Sequence, residues 1–278
     1  MVIGIEDTMQ DINQLRFGGT QRLYGKQGEH RLRASAVTVV GIGGVGSWVA
    51  EALARTAIGR ITLVDLDDIC VTNTNRQIHA QSGNIGKLKV QAMADRIKAI
   101  NPECEVRVVE DFISVDNQAE ILSDKPDYVV DAIDSVPAKT ALIAFCKRNK
   151  IRVICVGGAG GQIDPLKIQV ADLSKTTQDP LAAKVRSELR RNFNFSKNPK
   201  RRFGVECVFS TEQLSYPTPD GGVCQQKQFN DGSVKLDCSG GLGAGVAVTA
   251  TFGMIAASRV VNWLVANKQI EPASQISS

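Results

Sequence analysis

The sequence predicts an α/β protein: a Rossmann-like, mainly parallel sheet with helices on both faces, continued by antiparallel strands in the C-terminal half. Three observations predict it. Val37–Gly46 reads Val-Thr-Val-Val-Gly-Ile-Gly-Gly-Val-Gly and Ile61–Asp65 reads Ile-Thr-Leu-Val-Asp, which is a strand, a glycine turn, a helix start and a second strand ending in an acid. Apolar runs of strand length then alternate with helical patterns as far as residue 156. From Gly157 the texture changes to Gly, Pro and alternating segments such as Lys167–Ala171, which suit antiparallel pairing.

Taken in order, residues 10–33 are polar with a helical tendency and carry Arg16 and Arg22. Strand 36–41, helix 44–57 and strand 60–65 form a βαβ unit with a right-handed crossover. Gly41, Gly43 and Gly44 make up its turn, where Gly41 and Gly43 let backbone approach a phosphate, and Gly46 lets the helix lie close on the strand. Trp48, in the first helical turn, is expected to pack rather than stack on a base. A loop over 66–82 contains Asn73-Thr-Asn-Arg-Gln77. The helix from Lys87 to Ile100 aligns Val90, Met93, Ile97 and Ile100 on one face and stops at Asn101-Pro102. Strand 105–110, a short helix over 116–122, strand 127–132, helix 137–149 and strand 151–156 extend the sheet. Cys238 to Ser258 lacks any charge, but its five glycines (240, 241, 243, 245 and 253) and Thr249 and Thr251 predict a close-packed core helix rather than a membrane span. The whole is expected to be one domain, 10–270, with a nucleotide-binding half at 34–156 and a substrate-facing half at 157–270.

With 43% hydrophobic and 22% charged residues over 278 positions, disorder is excluded for the chain as a whole. The net charge of +4 is too small to select a partner, but its distribution is uneven. Between 184 and 202 lie Lys184, Arg186, Arg190, Arg191, Lys197, Lys200, Arg201 and Arg202 against one acid, Glu188. Charge alone leaves two readings open, a phosphate-backbone footprint or a solubilising mobile loop. The seven cysteines include no Cys-x-x-Cys pair, so no zinc site is expected. No charged-then-apolar leader opens the chain, which points to a cytoplasmic protein with free thiols. Cys207 and Cys238 are open to two readings, a sulfur acceptor or an idle thiol, of which the second is preferred.

The glycines leave NAD and ATP open as the nucleotide, and the residues after the ribose-binding acid Asp65 decide. A redox Rossmann domain has no use for dense donors there, whereas this chain places Asp67, Asn73, Asn75, Arg76 and Gln77 in that stretch and Lys89 in the next helix. Attack at an α-phosphate develops charge on nonbridging oxygens and departing pyrophosphate, which calls for fixed cations, amide donors and a carboxylate for Mg²⁺. Arg76 and Lys89 supply the cations. Asp134, next to Ser135 just past a strand end, is the metal carboxylate. His79 needs no role as a base, because an attacking carboxylate is already ionised at neutral pH. Asp68 reads as a solvated loop acid, and the Gly157–Gly161 turn as either an amide site for a carboxylate or a tight strand exit.

Gly41–Gly46, Asp65-Leu-Asp67, Asn73–Gln77, Lys89 and Asp134-Ser135 together resemble the adenylation site of the ThiF/MoeB and ubiquitin-activating superfamily. Arg16–Gly25, Gly157–Pro165, Gln178–Ala182 and Val208–Glu212 resemble the branch of it that acts on threonylcarbamoyladenosine in tRNA, and the likeness runs from about Leu15 to about Trp263. The resemblance implies ATP- and Mg²⁺-dependent activation of the threonyl carboxylate at tRNA position 37 as an acyl-adenylate, then cyclisation with loss of water. It further implies a homodimer, tRNA contact by the basic 184–202 segment, and a cysteine desulfurase or sulfur acceptor as a further partner. Related dimers send an N-terminal arginine into the neighbouring site. The second arginine of their Arg-Tyr-x-Arg-Gln pattern is missing from Arg16-Phe-Gly-Gly-Thr20, which leaves Arg16 and Arg22 for that role. Two alternatives are weighed against this expectation: adenylation of the C-terminal glycine of a ubiquitin-like sulfur carrier, and an NAD-dependent dehydrogenase or nucleotide-sensing module.

Overall fold

A computed structural model describes residues 5–225 and 242–269. Strands β1 (Ala36–Val40), β2 (Arg60–Val64), β3 (Glu105–Val109), β4 (Tyr128–Asp131), β5 (Val153–Val156), β6 (Ile168–Asp172) and β7 (Glu206–Ser210) form one sheet in the order β3-β2-β1-β4-β5-β7-β6. β7 pairs parallel with β5, and among the described residues only β6 runs antiparallel within this sheet, while β8 (Tyr216–Pro217) and β9 (Val223–Cys224) form a separate antiparallel pair. The C-terminal half therefore adds one more parallel strand before the direction reverses. Every residue of β1, β4 and β5 is buried, because helices cover both faces, and this is why those strands read as unbroken apolar runs rather than alternating ones.

One face is covered by α1 (Ile5–Arg33), α2 (Gly46–Arg55), α3 (Lys89–Ile100) and α7 (Val246–Asn267), whose Leu32, Leu53, Met93, Ile97, Phe252 and Val260 share one core. The other face is covered by α4 (Gln118–Ile121), α5 (Val136–Arg148) and α6 (Pro180–Asn192), which bury Ile121, Leu142, Ile143, Val185 and Leu189. Each such side chain contributes about 1.5–3 kcal/mol when fully buried.

Two sequence expectations are corrected. The charge-free helix begins at Val246 rather than Cys238: residues 242–245 are non-helical, and 238–241 lie outside the described residues. By length and apolarity α7 is able to cross a membrane, yet Val248, Phe252, Ala256, Val260 and Leu264 are buried in the core. Its closest approach is to α2, where a Cβ on Gly253 would fall 2.7 Å from the Val45 carbonyl oxygen and from Trp48 Cβ. The basic segment, read in one version as a mobile loop, is the helix α6 up to Asn192, with Asp179 capping its start through the Ala182 amide.

Candidate active site

Gly41, Asp65, Ala132 and Gly157 follow the C-terminal ends of β1, β2, β4 and β5, and the strand order reverses between β1 and β4. This is the crevice where open α/β sheets bind ligands. Gly41 has a φ of 86°, and a Cβ there would lie 2.8 Å from the Ala132 carbonyl oxygen. A Cβ on Gly46 would overlap the Gly41 carbonyl, so only glycine lets α2 start this close to β1. The turn is pressed on its other side by the 73–77 segment: a Cβ on Gly44 would stand 3.3 Å from the Arg76 stem, and one on Gly43 3.9 Å from Gln77 Nε2. α2 begins without a side-chain cap or a first-turn acid; its Ser47 and Trp48 amides donate to the Gly43 and Val45 carbonyls, and the amides of Gly43 to Gly46, unpaired among the described residues, are left for an anion.

The acids and cations interlock around this turn. Buried Asp65 accepts from the Ile42 amide at 2.6 Å and from the Asp67 amide at 2.9 Å. Burial pushes its carboxyl above the usual range, against the pull of Lys89 and those amides. Lys89 Nζ donates to Asp67 Oδ2 at 2.6 Å; the lysine is 8% exposed and its acid 53%, so the pair presents its carboxylate to solvent. Asn73 is buried, its Oδ1 accepting from the Cys70 amide. Asn75 Nδ2 donates to the Ala244 carbonyl at 2.7 Å, tying the loop to the approach to α7. Arg76 donates from Nη1 to the Thr72 carbonyl and to Asn75 Oδ1, each at 3.0 Å. Trp48 Nε1 donates to the Arg76 carbonyl at 2.9 Å, so the indole packs and braces the loop as the sequence suggested. Gln77 is buried with its Oε1 unpaired. His79 Nε2 lies 2.9 Å from the Ile42 carbonyl, and burial lowers its pKa to about 4, so it is a neutral support at neutral pH.

Asp134 and Ser135 stand exposed at the same edge, between β4 and α5. The Asp134 carboxylate has no hydrogen bond or ion pair among the described residues, and the structure brings it into no contact with Arg76 or Lys89. What fixes its loop is a buried pair that sequence reasoning missed. Lys139 Nζ donates to Asp131 Oδ1 at 2.9 Å, the Asp131 carbonyl at 3.1 Å and the Ile133 carbonyl at 2.9 Å. Both side chains are almost fully buried. Burial pushes the Asp131 carboxyl up against the pull of Lys139; burial is also the largest influence on Lys139 and works against its charge, but Asp131, with smaller help from Cys155 and Cys207, holds Lys139 above the usual lysine range. A charged residue closing an otherwise apolar strand, with a lysine eight positions on, was the available signal.

Asp179 takes the Gly158 amide at 3.0 Å, and the Gly161 amide donates to Gly243, so the Gly157–Gly161 turn spends amides on its own structure. Arg16 donates to the Ile100 carbonyl at 2.8 Å, at the end of α3 away from the glycine turn, while Arg22 is exposed and unpaired among the described residues. In the basic segment Arg186 is bonded to Thr176, Arg190 lies over Phe203 and Arg191 pairs with Glu188, whereas Lys184, Lys197, Lys200, Arg201 and Arg202 are exposed. α6 starts at the catalytic edge and runs back across the sheet, so Lys197–Arg202 lie toward the opposite edge. Cys207 is fully buried in β7, where a hydrogen bond with Cys155 and burial push its thiol well above the usual range, which removes it as an accessible sulfur acceptor. Cys238 lies outside the described residues.

The ThiF family profile matches residues 19–277. The chain is 56% identical to the tRNA threonylcarbamoyladenosine dehydratase of Escherichia coli over 93% of its own length and 96% of that protein's. It is 55% identical, with the same coverage, to the enzyme of that name from Haemophilus influenzae. A crystal structure of the E. coli tRNA N6-threonylcarbamoyladenosine dehydratase in complex with ATP superposes with a TM-score of 0.81 at 52% identity, covering 96% of this chain and 98% of that one. The chain belongs to the ThiF family, in its branch of tRNA threonylcarbamoyladenosine dehydratases.

Proposed function

We propose that this protein uses ATP to activate the threonyl carboxylate of N6-threonylcarbamoyladenosine in tRNA and closes that group into a ring with net loss of water. The observation that carries the reading is the packing of the Arg76 stem on Gly44 of the phosphate-type turn, beside the Asp65–Asp67–Lys89 set. A dinucleotide oxidoreductase has no use for those cations. The carboxylate, already ionised, attacks the α-phosphorus and expels pyrophosphate, so no general base is required for that step. Arg76 and Lys89 balance the growing phosphoryl charge, with Lys89 exchanging Asp67 for phosphate oxygen, while Asn73, Asn75 and Gln77 orient the nucleotide and Asp65 faces the ribose. A nitrogen or oxygen of the same modified base then displaces AMP, a far better leaving group than oxide, and ring closure benefits from high effective molarity.

Mg²⁺ neutralises charge on the phosphates when bound. It needs only one or two protein carboxylates beside the phosphates, and the unpaired, exposed Asp134 fits that demand. Residues 10–270 act as one adenylation unit that works as a homodimer, in which exposed Arg22 rather than Arg16 is the arginine offered to the partner site. Lys184, Lys197, Lys200, Arg201 and Arg202 contact the tRNA backbone. Mass spectrometry of nucleosides from tRNA treated with the protein, ATP and Mg²⁺ tests the reading, the expected product being 18 Da lighter, roughly one water lost. Pyrophosphate release that depends on a sulfur-carrier protein and ignores tRNA would replace it with the carrier-activation alternative.

A further inference from the structure

A cavity of about 640 Å³ opens far from the glycine turn, between the C-terminal ends of α5 and α6. Its wall contains Phe193, Phe195 and Phe203 together with Lys147, Arg148 and Arg202. α5 leaves the catalytic edge at β4 and spans 13 residues, so this cavity lies about 20 Å from that edge, at the opposite end of the sheet. The aromatic wall is preorganised: Phe195 meets Phe203 edge-on with ring centroids 5.0 Å apart, and the Arg190 guanidinium sits over Phe203 at 5.3 Å. Phe203 is buried, whereas Phe193 and Phe195 are only partly covered and leave ring surface available. Arg148 and Arg202 are exposed and have no acid partner or hydrogen bond among the described residues, and exposed Lys197, Lys200 and Arg201 continue the positive surface.

We propose that this cavity is a second RNA contact that takes one unstacked nucleotide of the substrate tRNA, its base against Phe193 and Phe195 and its phosphate between Arg148 and Arg202. Single-stranded RNA is held by aromatic faces for bases combined with unpaired cations for phosphates, and this wall supplies both within one concavity. Asn194, on the same wall, offers an amide group that matches base edges, whereas the Asn192 amide donates to Glu188. The assignment rests on tRNA being the substrate. It adds a foothold remote from the reaction, which holds the RNA while the modified base reaches the glycine turn.

The test is filter binding of tRNA, and steady-state turnover, by the full chain and by Arg148→Ser and Phe195→Ala, with Phe195→Tyr as the stacking-competent control. ATP affinity and thermal midpoint are measured alongside. Each of the first two variants is expected to weaken tRNA binding and raise its KM by about tenfold. Arg148→Ser should also lower the salt slope by about 0.7. Phe195→Tyr should stay near the wild type, and ATP affinity should hold throughout. tRNA affinities within twofold of wild type for both variants, with wild-type turnover intact, overturn the cavity assignment alone. A wild-type protein that neither binds nor converts tRNA overturns the assignment together with the proposed function.

Discussion

Lys139→Met tests the buried pair behind the Asp134 loop. Lys139 is 1% exposed and makes three hydrogen bonds, two to carbonyls at the end of β4 and one to Asp131 Oδ1. Methionine keeps the volume but leaves Asp131 buried without its counter-charge, and Asp131 Oδ2 already has no partner. Removing one member of a buried ion pair costs about 3–5 kcal/mol. In a chain of this size that lowers the thermal midpoint by roughly 6–20 °C. The loss should depend on pH with a defined sign. Burial already holds the Asp131 carboxyl above its ordinary 3.8, and removal of Lys139 lets it rise further. Above 3.8 the unfolded chain has released that proton while the folded variant keeps it. The wild-type folded chain shares that loss until its own Asp131 ionises; from there the variant alone goes on losing stability as pH rises, by up to about 1.4 kcal/mol per pH unit, until its Asp131 ionises in the folded state. Differential scanning calorimetry across a pH series above 3.8 reads this directly. Asp131→Asn combined with Lys139→Met should recover most of the loss. A Lys139→Met midpoint equal to wild type, or a deficit that is flat with pH, would refute the reasoning.

Gly46→Ala places a methyl on the Gly41 carbonyl, and α2 must retreat from β1. Calorimetric titration should show ATP affinity reduced by at least about tenfold, with helical circular dichroism retained. Gly253→Val pushes α7 off α2 at the Val45 carbonyl and should cost about 1–3 kcal/mol in urea unfolding. His79 is neutral when folded, with its pKa lowered to about 4 from an ordinary 6.5. The unfolded chain gains a proton there first as pH falls, so the stability present above 6.5 should shrink by about 3 kcal/mol on acidification to pH 4, and His79→Gln should flatten that slope. Arg76→Ala should abolish tRNA-dependent pyrophosphate release while leaving the thermal midpoint within a few degrees, because among the described residues its side chain hydrogen-bonds only within the 72–76 loop.

Most of the sheet was legible because fully buried parallel strands write themselves as apolar runs: 36–41, 60–65, 127–132 and 151–156 each lie within two residues of the observed strands. The glycine turn and the acid after β2 were legible because backbone proximity leaves a residue with no Cβ wherever another atom occupies its space, as at Gly41 and Gly46. The start of α7 was not, since an uncharged glycine-rich stretch is equally compatible with a helix and with the non-helical approach at 242–245. The basic segment misled in another way. Its charges hid the apolar stripe Ala182, Val185 and Leu189 that docks α6 on the sheet. Asp131 and Lys139 escaped notice because one-dimensional spacing does not say that a strand end and the first turn of the next helix bury their charges together.

Gly253 has a consequence for how the molecule is made. The helix that carries it closes the wall beneath the first βαβ unit, though it is translated long after that unit has left the ribosome. The early strands must wait with one apolar flank uncovered until Val246–Asn267 emerges, so assembly of the nucleotide crevice is a late event in biosynthesis, and a nascent chain stalled before that point presents a bare patch for chaperones to guard.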